Sequence, residues 1–113
     1  MPTNHKPQGW IGVDFDGTLV EYHHERDANH VGKPIPQMVQ RVRRWLAEGM
    51  NVKIFTSRLN SHKLINNFCL DYFGRKLPIT NVKDPTMIQL WDDRAVSVET
   101  NTGKRRCSCH TPL

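Results

Sequence analysis

The sequence predicts an α/β fold, a Rossmann-like three-layer sandwich with a mostly parallel central sheet. Short apolar segments of strand length alternate with longer segments whose apolar residues recur at helical spacing. This alternation is typical of parallel strands joined by crossover helices. A chain of 113 residues has room for one domain. We assign residues 1–100 to that domain and residues 101–113 to a basic C-terminal tail.

The first predicted strand starts at Trp10 and ends in two aspartates, Asp14 and Asp16. Side chains two positions apart on an extended chain point the same way, so these carboxylates can converge. Two like charges at short distance need a cation between them or a proton on one of them. The polar segment 20–33 has no regular period, and we expect a loop or a short hairpin that offers only a minimal cap.

Helical periodicity predicts two helices. The first begins near Pro36, because proline suits a first helical turn, and ends at Gly49. The second is capped by Asn60 or Ser61 and ends at Gly74. The further strands that we expect are residues 51–55, 77–82, 87–91 and, at an edge, 95–98.

The net charge is +5, with a sequence pI of about 9.4. An excess of cations favours anionic partners such as nucleic acid, nucleotides or other phosphate compounds, although it also serves solubility alone. No apolar run approaches the ~20 residues that span a bilayer, and the polar first residues lack the apolar core of a signal peptide. We therefore expect a cytoplasmic protein without a membrane partner.

Three segments carry chemistry, and each follows a predicted strand. The first reads Asp-Phe-Asp-Gly-Thr-Leu at residues 14–19, the second Val-Lys-Ile-Phe-Thr-Ser-Arg at residues 52–58, and the third Leu-Trp-Asp-Asp-Arg at residues 90–94. In open α/β sheets ligands bind at the carboxyl ends of the strands. The pattern thus predicts one site at that edge of the sheet.

In this order the three segments resemble the motifs of the haloacid dehalogenase (HAD) superfamily of phosphatases, and they span most of the chain. The resemblance implies a small capless member: a magnesium-dependent phosphomonoester hydrolase that acts through an aspartyl-phosphate intermediate. It makes Asp14 the nucleophile and Asp16 the general acid and base. Thr56 would bind the phosphoryl group, unless its hydroxyl caps the following helix. Lys83, or alternatively Lys63, would be the catalytic lysine.

The resemblance also assigns substrate and metal contacts. Mg²⁺ would be held by Asp14, Asp92 and the backbone carbonyl of Asp16, because Mg²⁺ prefers oxygen ligands. Asp93 would contribute to the metal site through a water molecule or would orient a lysine. Gly17 would leave room for a phosphate and point its amide at it. Ser57 follows Thr56 in the phosphate-binding segment and also suits a helix cap. Arg58 either reaches a second anionic group of the substrate or lies on the surface.

A site without a cap domain is open to solvent. Open sites suit bulky substrates or are covered by a neighbouring subunit of a homo-oligomer. We expect the partner to be a phosphorylated small molecule, a nucleotide or a phosphorylated nucleic-acid end. Two alternatives remain: phosphoryl transfer to an acceptor other than water, and a nucleic-acid-binding module that keeps the fold but has lost catalysis.

The three cysteines fall into two groups. Cys69 lies in a predicted helix and is interpreted as a buried free thiol. Cys107, Cys109 and His110 could supply three zinc ligands, but a closed structural site takes four and no fourth stands near them. The sequence leaves open whether this group binds a metal or is part of a basic tail.

Overall fold

The computed structural model describes residues 9–22, 30–58 and 60–106. In chain order its elements are β1 Trp10–Asp14, α1 Pro36–Ala47, β2 Asn51–Phe55, α2 His62–Phe73, β3 Ile79–Thr80 and β4 Met87–Trp91. The strands form one sheet in the order β3-β2-β1-β4, and every neighbouring pair is parallel. The predicted fold class is confirmed: this is a compact α/β fold consistent with a Rossmann-like sandwich.

The helices end where local sequence chemistry predicts. Pro36 occupies the first turn of α1, where a missing N–H costs nothing. Gly49 follows that helix with a φ of +84°, and Gly74 ends α2 with a φ of +73°. Such left-handed backbone is readily adopted by glycine alone. Ser61 stands at the N-cap of α2, as predicted, but its side chain makes no capping hydrogen bond.

Both helices pack on one face of the sheet and touch each other. Arg43 Nε on α1 donates to the Tyr72 carbonyl on α2 at 2.8 Å. Phe15 meets Phe68 edge to face, with ring centroids 5.4 Å apart. Burying a large apolar side chain is worth about 1.5–3 kcal/mol, so this face supplies most of the stability. The fully buried side chains here are Val13, Phe15, Leu19, Val20, Val42, Ile54, Ile65 and Cys69.

An exposed segment without helix or strand, residues 81–86, returns from β3 to β4. Asp84 Oδ1 in this segment accepts a hydrogen bond from Trp10 Nε1 at 3.0 Å. Trp10 N donates to the Thr86 carbonyl at 3.1 Å. Trp10 opens β1, so the segment reaches the amino edge of the sheet before β4 begins. In the described residues, the connection from β3 to β4 therefore contains no crossover helix.

Two predicted strands differ from the structure. Residues 77–82 contain a strand only at Ile79–Thr80, because Pro78 has no N–H to donate and the segment lies at the sheet edge. Residues 95–98 form no strand; Val98 makes one isolated antiparallel bridge, to Arg105. Residues 101–106 thus turn back on the segment before them, and the boundary placed at residue 100 stays a prediction. None of the helices in the described ranges is long and apolar enough to cross a membrane.

Candidate functional site

The carboxyl ends of β1, β2 and β4 meet at one pocket of about 360 Å³. They meet because the strands are parallel and in register, with Val13 beside Ile54 on β2 and beside Trp91 on β4. All three sequence segments therefore reach this edge, as predicted. The pocket is lined by Asp14, Asp16, Tyr22, Phe55, Thr56, Ser57, Asp92, Asp93 and Arg94.

Three carboxylates in the pocket form a cluster that could hold a metal ion. Asp14, Asp92 and Asp93 each offer one oxygen, and these oxygens lie within 4.8 Å of one another. Burial raises the pKa of Asp14 to about 7, and so do a hydrogen bond with Asp93 and the nearby charges of Asp92 and Asp93. Only the hydrogen bond from Thr18 favours the ionised form of Asp14. Burial and the two neighbouring acids thus oppose the ionisation of Asp14.

Loop hydrogen bonds set the positions of these acids. Thr18 Oγ1 donates to Asp14 Oδ2 at 3.2 Å and accepts from the Asp93 backbone N–H at 3.1 Å. The Arg94 N–H donates to Asp92 Oδ1 at 2.7 Å, which closes a turn just beyond β4. Thr18 therefore links the first and third segments. Sequence reasoning gave it no role, although its place four residues after Asp14 was a usable signal.

Gly17 has a structural task that differs from the predicted one. Its amide donates to the Val20 carbonyl at 2.8 Å and so does not point at a substrate phosphate. Gly17 is also absent from the pocket lining. Its φ is +88°, and a Cβ here would lie 2.5 Å from Asp93 Oδ2. The missing side chain lets the Asp93 carboxylate approach the loop after β1, and the substrate contact of Gly17 stays a prediction.

Asp16 lines the pocket but lies outside the three-carboxylate cluster, held instead by Arg58. Arg58 Nε donates to Asp16 Oδ2 at 2.7 Å, and Nη2 donates to Oδ1 at 2.9 Å. Nη2 also donates to the His30 carbonyl at 2.7 Å. Arg58 is only 8% exposed, so the surface interpretation is wrong. The guanidinium is not part of the pocket lining; it fixes the general acid and base candidate in place.

Thr56 and Ser57 both line the pocket at the end of β2. Thr56 is 5% exposed, and its Oγ1 accepts a hydrogen bond from the Arg58 N–H at 3.0 Å. A hydroxyl that accepts one bond can still donate another, here toward the pocket. Neither residue caps α2, which begins at His62 after Ser61. The capping alternative for these two residues is therefore wrong.

Neither candidate lysine lines the pocket. Lys83 is exposed in the crossing segment, one residue before the Asp84 that binds Trp10 at the opposite edge of the sheet. Lys63 is exposed in the first turn of α2. In the described part of the chain, Arg94 is the cation that lines the pocket. Sequence reasoning assigned no role to Arg94 or to the aromatic lining residues.

The cysteine predictions have separate outcomes. Cys69 is a fully buried free thiol, and burial raises its pKa to about 11, which makes the thiolate scarce and the side chain inert. Cys107, Cys109 and His110 lie outside the described residues, so their zinc-binding alternative stays a prediction.

Comparison with known proteins gives one informative likeness. No protein-family model matches the chain, and a search of curated proteins finds no match. A solved structure from Bacteroides thetaiotaomicron, described as a conserved protein coded by a locus, is similar at 25% identity with a TM-score of 0.60. The likeness covers 76% of each chain. It supports the fold, and its description names no activity.

Proposed function

We propose that this chain is a magnesium-dependent phosphomonoester hydrolase that acts through an aspartyl-phosphate intermediate. The observation that carries the proposal is the convergence of Asp14, Asp92 and Asp93 in one pocket with the Thr56 hydroxyl and the Asp16 carboxylate. These groups come from three separate segments whose order resembles that of the HAD superfamily. A structural cluster would not need to retain all of them.

The donor set of the cluster fits Mg²⁺. Three carboxylate oxygens within 4.8 Å are hard ligands, and no sulfur or imidazole ligand of the described chain joins them. Burial, together with the neighbouring Asp93 and Asp92, raises the pKa of Asp14, and a bound cation would favour its ionised form. Asp14, Asp92 and Asp93 would hold the ion, and its charge would neutralise the acids and the substrate phosphoryl group.

Asp14 would attack the phosphorus through a carboxylate oxygen. A new oxygen–phosphorus bond forms, the ester bond breaks, and the leaving oxygen takes a proton from Asp16. Asp16 then accepts a proton from a water molecule, whose oxygen attacks the phosphorus and releases Asp14. The hydrogen bond from Thr18 to Asp14 Oδ2 fixes the orientation of the nucleophile before the first step.

Arg58 determines where Asp16 stands during both proton transfers. Its two parallel hydrogen bonds fix the plane of the Asp16 carboxylate. Thr56 would hold a phosphoryl oxygen from the side opposite the three acids.

The direct test is to trap the intermediate on Asp14. Protein with Mg²⁺ is mixed with an aryl phosphate, quenched in acid and treated with borohydride, which reduces an acyl phosphate to an alcohol. Peptide mass spectrometry should then find homoserine in place of Asp14. Asp14→Asn should give no adduct and no phosphate release, while Asp71→Asn, on the exposed side of α2, serves as the matched control.

Three results would contradict the proposal. Phosphate release without an adduct at position 14 would remove the nucleophile assignment. Full turnover in chelator would remove the metal. No turnover of any phosphate ester, with folded protein and Mg²⁺ present, would favour the non-catalytic alternative. If an added alcohol instead receives the phosphoryl group faster than water does, the enzyme is a phosphotransferase.

A further inference from the structure

We infer that the pocket selects nucleoside phosphates, through a wall of planar side chains formed by Tyr22, Phe55 and Arg94. The inference rests on the proposed function and names the substrate class of that same site. It starts from the lining residues that the proposed reaction leaves unused. All three are pocket-lining, and none of them belongs to the acidic cluster.

The pocket is larger than the reaction requires. Its volume is about 360 Å³, inside the range of roughly 300–1,000 Å³ found for small-molecule sites. The phosphoryl group would occupy the acidic end, between Asp14 and Thr56. The remaining space must receive the leaving group, and the side chains that face it determine which leaving group fits.

Those side chains are planar. Tyr22 and Phe55 both line the pocket and are half-buried, and the Phe55 ring also stacks on Trp10 with the ring centroids 6.5 Å apart. The Arg94 guanidinium lies 5.8 Å from the Tyr22 ring centroid, at cation–π distance. Aromatic rings and guanidinium planes stack on nucleobases, and this stacking tolerates every base because each has a π face. A sugar or an aliphatic chain gains less from such a wall.

The charge pattern agrees with this assignment. The pocket holds four carboxylates, and Arg94 is the cation that the described chain adds to its lining. It stands two residues after Asp92, to which its backbone N–H is bonded at 2.7 Å. A guanidinium here can stack on a base or bind a base edge with its fork of donors while the metal handles the phosphoryl group.

The test compares adenosine 5′-monophosphate with ribose 5-phosphate, which differ only in the base. With Mg²⁺ present, kcat/KM for the nucleotide should exceed that for the sugar phosphate about tenfold or more, the size expected from one stacked base. Tyr22→Leu and Arg94→Gln should each reduce this ratio at least threefold. Tyr22→Phe keeps the ring and should keep the ratio. Arg44→Gln, exposed on α1, is the matched control for the arginine.

Equal kcat/KM values for the two compounds would overturn the inference. A tenfold ratio that survives in both Tyr22→Leu and Arg94→Gln would overturn the assignment to this wall. If no ester is hydrolysed, the proposed function fails, and equilibrium binding then decides the inference separately. Tighter binding of adenosine 5′-monophosphate than of ribose 5-phosphate to the Asp14→Asn protein would support the inference, and equal binding of the two compounds would overturn it.

A third substrate distinguishes a free nucleotide from the phosphorylated end of a nucleic acid. A short oligonucleotide with a terminal phosphate presents the same end group as a free mononucleotide. A higher kcat/KM for the oligonucleotide would assign the site to nucleic-acid ends, and a higher value for the mononucleotide would assign it to free nucleotides. Both outcomes require the base contact that Tyr22, Phe55 and Arg94 provide.

Discussion

The partial burial of Asp14 beside two other acids predicts a stability effect that needs no substrate. Asp14 has its pKa raised from 3.8 to about 7, first by burial and then by Asp93 and Asp92. The folded protein therefore keeps a proton that the unfolded chain loses as the pH rises above 3.8. Stability is lost as the pH rises through the window from about 4 to 7 and stays low above it. Asp14→Asn cannot ionise and should show no such loss.

The magnitude follows from the two pKa values. Between pH 5 and pH 8 the full shift would cost roughly 2.6 kcal/mol of unfolding free energy, at about 1.36 kcal/mol per pKa unit. Asp14 is only partly buried, and solvent screens its interactions, so we reduce this to about 1 kcal/mol. In metal-free buffer, the free energy of unfolding of Asp14→Asn minus that of the wild type should be about 1 kcal/mol larger at pH 8 than at pH 5.

Urea denaturation at both pH values, with chelator present, measures this difference directly. The asparagine oxygen can still accept the hydrogen bond from Thr18, so the substitution keeps local packing. Asp71→Asn is the control and should show no differential gain. Added Mg²⁺ binds the folded state and should stabilise the wild type at pH 8 more than the variant. A pH response that is the same in wild type and Asp14→Asn would refute the reasoning.

Three further substitutions test the loops around the site by urea denaturation. Gly17→Ala should lower the free energy of unfolding by at least about 1 kcal/mol more than Gly49→Ala. Both glycines have a positive φ, but a Cβ at position 17 would meet a carboxylate oxygen, whereas a Cβ at position 49 has open space. Equal losses in the two variants would contradict the close approach of Asp93 to Gly17. Arg58→Met removes the ion pair with Asp16 and should lower the free energy of unfolding by about 3 kcal/mol, and Arg58→Lys should give an intermediate loss. An Arg58→Met variant as stable as the wild type would contradict the positioning role of Arg58. Thr18→Val removes two hydrogen bonds of about 1 kcal/mol each and should lower the free energy of unfolding by about 2 kcal/mol. It should also weaken Mg²⁺ binding measured by calorimetry. An unchanged Mg²⁺ affinity would mean that this threonine does not orient the acids.

The parts of the fold that depend on local sequence could be predicted from it. Helix ends at Gly49 and Gly74 follow from backbone sterics, and β2 and β4 follow from short apolar segments bounded by turn residues. The convergence of three segments at one edge also followed, since carboxyl ends of parallel strands must meet there. The two strand predictions that were wrong depended on hydrogen-bonded pairing with a neighbouring strand. Residues 77–82 and 95–98 have strand-like composition but lack such a neighbour along most of their length.

The site was harder to predict at the level of single contacts. The position of Arg58 two residues after Thr56 gives no signal that its guanidinium turns inward to Asp16. That contact depends on two loops lying side by side. Likewise, the place of Lys83 between a strand and the acidic pair predicts a catalytic lysine only if the intervening chain carries it to the pocket. Here the crossing is extended, and Lys83 precedes a residue bound at the amino edge.

The distribution of charge explains why the overall balance says little about the site. The chain carries a net +5, yet its candidate site gathers four carboxylates, and the buried Arg58 is committed to one of them. Within the described residues only Arg94 adds positive charge to the lining, so a phosphorylated substrate could not approach the acids unaided. The geometry of the pocket shows three carboxylates that could hold a metal ion, and the proposed phosphate chemistry would use a divalent cation there. If Mg²⁺ neither binds nor stabilises the protein, the reason for gathering these acids disappears, and the proposed chemistry disappears with it.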